Sequence, residues 1–479
     1  MTDDWFEGIL KATVDKTATV ISVEIKPGLE IGENYGSSTF RIRIHYKTET
    51  DDGTGGEKVL HAFAKLPPTV ESHRAFLDSH DIFEREAIVY NQLLPEMYKN
   101  SVAKNVPSPK VYFASGKGET QIILMEDLVA RDFALGNRRT GFDLEETKCV
   151  LEAFASFHAH SFALRERSDN RDLLKFLVKP CDPWMLYDWS GRQNRNKTLS
   201  RSPVANNLRD FRHLGGTTEE NDELIRRVEE YMKTDMRERI VSLMKPTKFS
   251  CFVLGDCWVN NMMIRYEEID GVKVPREACL LDFQVTRFAR PMMDLAYFWY
   301  TSTCREVFNN FDVVFEFYYE EFVKWLKLLG SQMGQTLTLS ELLEEFEAVE
   351  EMGFNMSLFG LAVLMISRED FGEDYGQGGF AEDFPRLVEN VLNGSNGKKK
   401  SPPRMWTAPL SSRPWDARQA GEKQQRTNAA SEGCEAVKQG GCGVLVPNEF
   451  WLFPTAKNDL IGIAFEERNS LISAIKTAV

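Results

Sequence analysis

Two short segments of the sequence hold the residue types that metal-assisted phosphoryl transfer requires. They are Leu254-Gly255-Asp256-Cys257-Trp258-Val259-Asn260-Asn261 and, twenty-one residues beyond Asn261, Asp282-Phe283-Gln284, which follows the apolar run Cys279-Leu280-Leu281. An aspartate can accept or orient the proton of an attacking hydroxyl. An asparagine five residues on, with a second aspartate leaving a strand, can offer hard oxygen ligands to magnesium bridging the phosphates of ATP. On this reading Asp256 is catalytic, and Asn261 and Asp282 are the metal ligands. Taken singly each is ordinary, because a lone Gly-Asp is commonly a turn that hydrogen-bonds its own backbone, and so is a lone asparagine. It is the combination that points to chemistry.

Upstream residues fit the same reaction. Lys65 closes an otherwise apolar strand, Ala62-Phe63-Ala64-Lys65-Leu66, where a buried ammonium needs an anion, and Glu86 on the following helix is a candidate partner. Paired, they would aim the lysine at the α and β phosphates of ATP. The plainer alternative has Lys65 turning into solvent beside Pro67-Pro68, with Glu86 one of several carboxylates on an exposed helix face. The turn Glu33-Asn34-Tyr35-Gly36-Ser37-Ser38 could point backbone N–H groups at phosphate oxygens, with Asn34, Gly36, Ser37 and Ser38 as the contacts. It is neither a GxGxxG nor a Walker loop, and alone it reads as a plain hairpin. Met125-Glu126-Asp127-Leu128 reads as a connector whose backbone, at Glu126 and Leu128, would meet adenine, or as any interlobe turn.

Positioning these residues takes two kinds of structure. From Thr17 to Pro67 the pattern is β, with runs Thr19–Ile25, Phe40–Tyr46 and Val59–Leu66 separated by Gly-rich turns, which predicts an antiparallel meander. Phe83, Ala87, Tyr90, Leu93 and Leu94 recur at helical spacing between about Asp78 and Tyr98, and Val111–Phe113 and Gln121–Leu124 supply two more strands. After Asp143 the pattern is mostly helical: Leu144–Ala163, the segment near Asn221–Met244, Asp312–Gly330 and Leu339–Met352, where Thr338 and Glu341 have capping-box spacing. The exception is a β-like pair, Cys251–Asn260 with Met262–Tyr266, followed by Ala278–Phe283. The predicted architecture is α+β in two lobes: an antiparallel β-rich lobe over 1–127 and a larger, mainly helical lobe over 128–395 with a hairpin embedded in it. The aperiodic, locally basic stretch 396–449 is expected to be disordered, and 450–479 regains enough apolar content for a short terminal helix. Translated noncoding sequence would have the same mixed character as residues 396–442. A native mass lacking that stretch would reveal it.

Asn34-Tyr35-Gly36-Ser37-Ser38, Phe83-Glu84-Arg85-Glu86 with Tyr90, Leu124-Met125-Glu126-Asp127-Leu128, Phe157-His158-Ala159, the Gly-Asp-x-Trp-x-x-Asn segment and Asp282-Phe283-Gln284 with Pro291-Met292-Met293-Asp294-Leu295-Ala296 together resemble the ecdysteroid kinase-like family of arthropods. That family lies within the choline kinase and aminoglycoside phosphotransferase group. The resemblance covers roughly residues 5–395. It implies a protein-kinase-like fold and ATP-dependent phosphorylation of a hydroxyl on a steroid or other small lipophilic molecule. Carried over by position, the family's catalytic aspartate falls on Asp256, its metal ligands on Asn261 and Asp282, and its ATP lysine and helix glutamate on Lys65 and Glu86. Asp294 matches a carboxylate thought to brace the catalytic loop. One position departs from the pattern: the motif histidine two residues before the catalytic aspartate is Leu254. Its loss leaves two alternatives open, a looser but active loop or a nucleotide-binding pseudokinase without turnover. A choline-like amine-alcohol kinase is a third, and it would need a cage for a quaternary ammonium.

Other features read more plainly. His158 and His160, two apart on a helix, cannot share one face, which disfavours a metal pair and favours core packing or a capping hydrogen bond. Glu341, Glu344, Glu345, Glu347, Glu350 and Glu351 read as a solvated helix face. The string Tyr297-Phe298-Trp299-Tyr300 reads as core, with one ring able to wall a substrate pocket. Trp184, Tyr187, Trp189 and Phe211, in the region Asp182–Asn221, permit an apolar pocket for the acceptor.

The chain of 479 residues is 42% hydrophobic and 27% charged with a net charge of -14, as in an ordinary globular protein. An acidic chain is a poor nucleic-acid binder. The acidic start, MTDDWFEGILKATVDK, and the lack of a long apolar run predict neither export nor a membrane span. Eight cysteines without CxxC pairing suggest reduced thiols in the cytoplasm and no structural zinc.

Overall fold

The computed structural model describes residues 2–28, 37–49, 56–68, 74–75, 77–78, 81–99, 101–103, 106–118, 121–138, 140–167, 226 and 242–365, with side chains to 357 in the last stretch. Asn34 and Gly36 of the expected phosphate turn lie outside these residues. So do the segment Asp182–Asn221, most of the helix expected near Asn221–Met244, and the expected segments 396–449 and 450–479. Apart from Arg226, the described residues belong to one compact unit, Met1–Asp210 with Asp235–Met405.

The N-terminal part is a sheet with helices on it. Helix α1 (Asp3–Thr13) has Thr2 as N-cap, accepting from the Trp5 N–H, and buries Phe6, Ile9 and Leu10, one face of the helix. Periodicity over so short a run did not mark this helix in the sequence. Strands β1 (Thr19–Pro27), β2 (Ser38–Lys47), β3 (Glu57–Leu66), β4 (Val111–Ser115) and β5 (Ile122–Glu126) pair antiparallel in the order β1-β2-β3-β5-β4. Alternating inward residues of β2 and β3, Ile42, Ile44, Ala62 and Ala64, meet Phe6, Ile9 and Leu10 in one core. The helix expected between Asp78 and Tyr98 is α2 (Ile82–Ile88), then a π-helical stretch Val89–Leu93, then α3 (Leu94–Tyr98). The connector begins two residues later than expected, because Met125 and Glu126 still pair with Phe63 and Ala62 of β3. Asp127 then caps a 3-10 turn, Leu128–Arg131, by accepting from Val129 N–H, and receives the Arg41 guanidinium at 3.2 Å.

The C-terminal part is mainly helical. Strand β6 (Phe133–Leu135) leads to α4 (Leu144–Arg167), which starts on a capping box between Asp143 and Glu146 and is buried along most of its length. The expected pairing of Cys251–Asn260 with Met262–Tyr266 is corrected. Strand β7 (Cys251–Val253) pairs with β10 (Arg287–Ala289), and β8 (Met262–Ile269) pairs with β9 (Val272–Leu280) and β6. The turn of that hairpin is Asp270-Gly271, both at positive φ, the two-residue geometry that matches strand twist. Residues 254–261 are thereby released from strand structure as a loop ending in the 3-10 turn Val259–Asn261.

Helices α5 (Met292–Ser302), α6 (Arg305–Asn309), α7 (Phe311–Leu328), α8 (Met333–Thr336) and α9 (Leu339–Met365) complete the described chain. Thr338 and Glu341 form the expected capping box at the start of α9. That helix runs well past Met352, where the sequence reading ended it. Gly353 is there for contact and not as a stop, since a Cβ would lie 2.2 Å from the Ala296 carbonyl oxygen on α5. The acidic face of α9 is also not all solvated: Glu350 is buried and accepts a hydrogen bond from the Tyr300 hydroxyl. No helix among the described residues is long and apolar enough to cross a membrane.

Candidate active site

Four elements converge on one place. Lys65 near the end of β3 and Glu86 on α2 meet with Nζ to Oε2 at 2.7 Å, and the same Nζ lies 2.7 Å from Asp282 Oδ1, 217 residues away in the chain. The alternative of a solvent-facing Lys65 is overturned, because its side chain is 7% exposed and that of Glu86 1%. Burial alone would lower the pKa of this ammonium, but the charges of Asp282 and Glu86 outweigh it and hold the group above the ordinary lysine value. Burial pushes the Glu86 carboxyl the other way, up, and Lys65 opposes that shift.

Asp282 has φ 63°, left-handed backbone that is uncommon outside glycine, and starts the 3-10 turn Phe283–Val285. The turn is fixed from both sides. Arg85 Nη1 on α2 donates to the Thr286 carbonyl at 3.2 Å, and Phe283 packs edge-on against Tyr90 and beside Phe157. Tyr90 sits in the π-helical stretch, so that irregularity places a ring against the Asp282 turn.

Asp256 lies on the loop after β7. Gly255 before it has φ 90°, and a Cβ there would come within 2.6 Å of the Val285 carbonyl oxygen, so only glycine lets the loop pass so close to the Asp282 turn. Asn261 Nδ2 donates to Asp256 Oδ2 at 2.8 Å and to its carbonyl at 3.1 Å, while the Tyr297 hydroxyl donates to Oδ1 at 3.0 Å. Burial, then the charge of Asp282, pushes the Asp256 carboxyl up to about 6, and the bonds from Tyr297 and Asn261 pull it back.

Beneath the loop is a fully buried brace. Asp294 on α5 accepts from the Leu254 N–H (Oδ2, 2.7 Å) and the Gly255 N–H (Oδ1, 3.0 Å). His158 on α4 puts Nε2 3.2 Å from the same Oδ2 and Nδ1 2.9 Å from the Tyr318 hydroxyl on α7. A carboxylate only accepts, so Nε2 carries the proton and Nδ1 accepts from tyrosine. His158 is therefore neither a helix cap nor plain packing. His160 faces elsewhere, with Nδ1 on the Ser156 carbonyl and Nε2 on Ser101.

Of the residues singled out in the sequence, Lys65, Glu86 and Asp282 are in contact, and Asp256 and Asn261 are in contact. Glu126 is apart from them: its carboxylate pairs with Arg131 at 3.0 Å and accepts from the Lys110 N–H, while its own N–H donates to the Lys110 carbonyl. The Asp127 N–H is taken by the His61 carbonyl, and Leu128 is buried with its own carbonyl accepting from the Asp132 N–H. Ser37 and Ser38 lie at the start of β2, with Ser38 opposite Leu66 and one residue from the partner of Lys65. Sequence reasoning missed the roles of His158, Tyr297 and Tyr318. The first two carried a signal, a position within a family motif and a three-residue step from Asp294, but neither names its partner.

The model of the ecdysteroid kinase-like family matches residues 31–331, well over half of the chain and narrower than the 5–395 read from motifs. No curated protein shows significant sequence similarity to the chain. Among solved structures, the GDP complex of wild-type aminoglycoside 2′-phosphotransferase-IIIa is 11% identical, with 81% of this chain and 100% of that one covered and a TM-score of 0.32. Its point mutant with GDP gives 10%, 82%, 100% and 0.31. Choline kinase LicA from Streptococcus pneumoniae gives 14%, 80%, 99% and 0.27. Similarity this low names neither a nucleotide nor an acceptor for this chain. The family match stands by itself over strands β2 to β10 and the loop that carries Asp256, and the chain belongs to the ecdysteroid kinase-like family.

Proposed function

We propose that the chain is an ATP- and magnesium-dependent small-molecule kinase that phosphorylates a hydroxyl of an ecdysteroid or another lipophilic compound. The observation that carries this is Lys65 reaching both Glu86 and Asp282 from a strand remote from them in sequence, beside an Asp256 already held by Asn261. In the reaction, Asp256 receives the acceptor's proton as the acceptor oxygen bonds to the γ-phosphorus and the bond to the departing ADP oxygen breaks. Lys65, oriented by Glu86, binds the phosphates. A carboxyl pushed up to about 6 is a better proton acceptor near neutral pH than an ordinary aspartate.

The donor set suits magnesium. Asn261 turns its amide nitrogen toward Asp256, which leaves its amide oxygen for a metal that the Asp282 carboxylate would share. Among the described residues no three His, Cys, Asp or Glu side chains form a metal cluster, so phosphate and water would complete the shell, as magnesium commonly requires. Bound there, magnesium would neutralise charge developing on the transferred phosphoryl group.

The pseudokinase reading rests on Leu254. Against it stands the brace: Asp294 holds the loop N–H groups and His158 holds Asp294, with no ring needed at 254. We also read the protein as cytoplasmic, because the five described cysteines are free thiols. Thermal shift with ATP, with and without magnesium, together with phosphate transfer to a panel of hydroxylated steroids and plant phenolics, tests the proposal. The expected result is stabilisation that depends on magnesium and a phosphate ester on at least one panel member. Nucleotide binding without any ester would favour the pseudokinase, and no nucleotide binding would overturn both.

A further inference from the structure

We propose that Tyr297 is a positioning residue that clamps the catalytic carboxylate; this rests on the kinase reading, in which Asp256 takes the acceptor's proton. Tyr297 stands three residues after Asp294 on α5, so both side chains leave the same side of the helix. One turn of α5 therefore sets two things. Asp294 fixes the loop backbone at Leu254 and Gly255, and Tyr297 fixes the side chain of the next residue.

The clamp has two points. The Tyr297 hydroxyl donates to Asp256 Oδ1 at 3.0 Å, and Asn261 Nδ2 donates to Oδ2 at 2.8 Å. Rotation of the carboxylate out of its plane would break both bonds. Held this way, the carboxylate keeps one orientation, and its remaining lone pairs are presented to an acceptor hydroxyl at fixed positions. A phenylalanine would fill the same buried volume at less desolvation cost, so the phenol is accounted for by its bond to Asp256. Burial, then the charge of Asp256, holds the Tyr297 phenol well above its ordinary pKa, which keeps it a donor through the neutral range. Arg287, whose Nη1 would lie 2.7 Å from a Cβ on Gly255, adds a cationic charge that favours ionised Asp256. The proton of Tyr297 stays on its own oxygen throughout, and only the acceptor's proton moves.

The test compares wild type with Tyr297→Phe in steady-state MgATP hydrolysis, with water in the acceptor's place. A lost hydrogen bond to a charged group lowers kcat by about tenfold or more, while KM for MgATP changes by less than about twofold. A kcat within about twofold of wild type, or a matching rise in KM, overturns the clamp. A crystal structure of the wild-type chain decides the same point without turnover: a Tyr297 oxygen out of hydrogen-bonding reach of Asp256 overturns the proposal, and a bonded one supports it. Where the wild type hydrolyses no MgATP, the crystal structure judges the clamp by itself, and ester formation on the acceptor panel judges the kinase reading.

Discussion

Two buried clusters flank Asp256, and they are built differently. The Lys65, Glu86 and Asp282 cluster joins the β-sheet part to the helical part through one shared ammonium, and its Asp282 side chain is 18% exposed. The His158, Asp294 and Tyr318 brace lies wholly among helices, with side chains of His158 and Asp294 at 0% and 1% exposure, and is aimed at backbone N–H groups. On the proposed kinase reading, a cluster of charges at the edge of solvent would exchange partners with the phosphates of a nucleotide. A sealed network cannot, and it keeps the loop in one shape. The comparison separates the residues that hold the loop from those that the proposal assigns to the nucleotide.

Breaking the charged cluster should have the largest effect on stability. Lys65→Met leaves two carboxylates facing each other without their cation, and removing one partner of a buried pair costs about 3–5 kcal/mol. Chemical denaturation would show this as a lower midpoint, with nucleotide-induced stabilisation lost as well; Lys65→Met combined with Glu86→Gln should recover part of the stability and none of the nucleotide response. In the brace, His158→Leu strands Asp294 and the Tyr318 hydroxyl and costs about 1–3 kcal/mol. Here nucleotide binding should survive while turnover falls, the reverse of the Lys65 pattern.

His160 sharpens the contrast, since it sits two residues from His158 with only uncharged hydrogen-bond partners. Burial lowers its pKa to about 4. A folded-state value below the unfolded one, about 6.5, means that the unfolded chain binds the extra proton between those values. Stability from this site is therefore complete above about pH 6.5 and is lost as pH falls toward 4, at up to about 1.4 kcal/mol per pH unit. Urea midpoints measured across that window should show a shallower decline for His160→Gln than for wild type. Leu254→His has the smallest expected effect on turnover, none in the direction of gain, because the brace already holds the loop. Leu254 is fully buried, and a ring there should instead lower the melting temperature.

How much of this the sequence disclosed varies with the kind of signal. The strands of the sheet were legible because β-branched and aromatic runs alternate between turns, and the grouping of Asp256 with Asn261 was legible because they stand only five residues apart. The pairing of β8 with β9 was hidden: the Asp270-Gly271 turn that sets it sits among charged residues, and the apolar run at Cys251 drew attention instead. Gly353 directly follows Met352, where the sequence reading ended its helix, and a sequence shows the missing side chain and not the Ala296 carbonyl that requires it. His158 and Tyr318 are 160 residues apart, and no local pattern joins them. Long-range partnership of buried polar groups was the part that required coordinates.

The central claim is that Asp256 takes a proton during transfer of phosphate from MgATP to an alcohol. Phosphorus NMR of the purified chain with MgATP and a hydroxylated steroid panel, run beside Asp256→Asn, addresses it most directly. The account predicts a phosphate monoester signal with wild type, formed about 10²–10⁴-fold more slowly by Asp256→Asn at unchanged nucleotide binding. Ester formation at equal rates by the two proteins would contradict it.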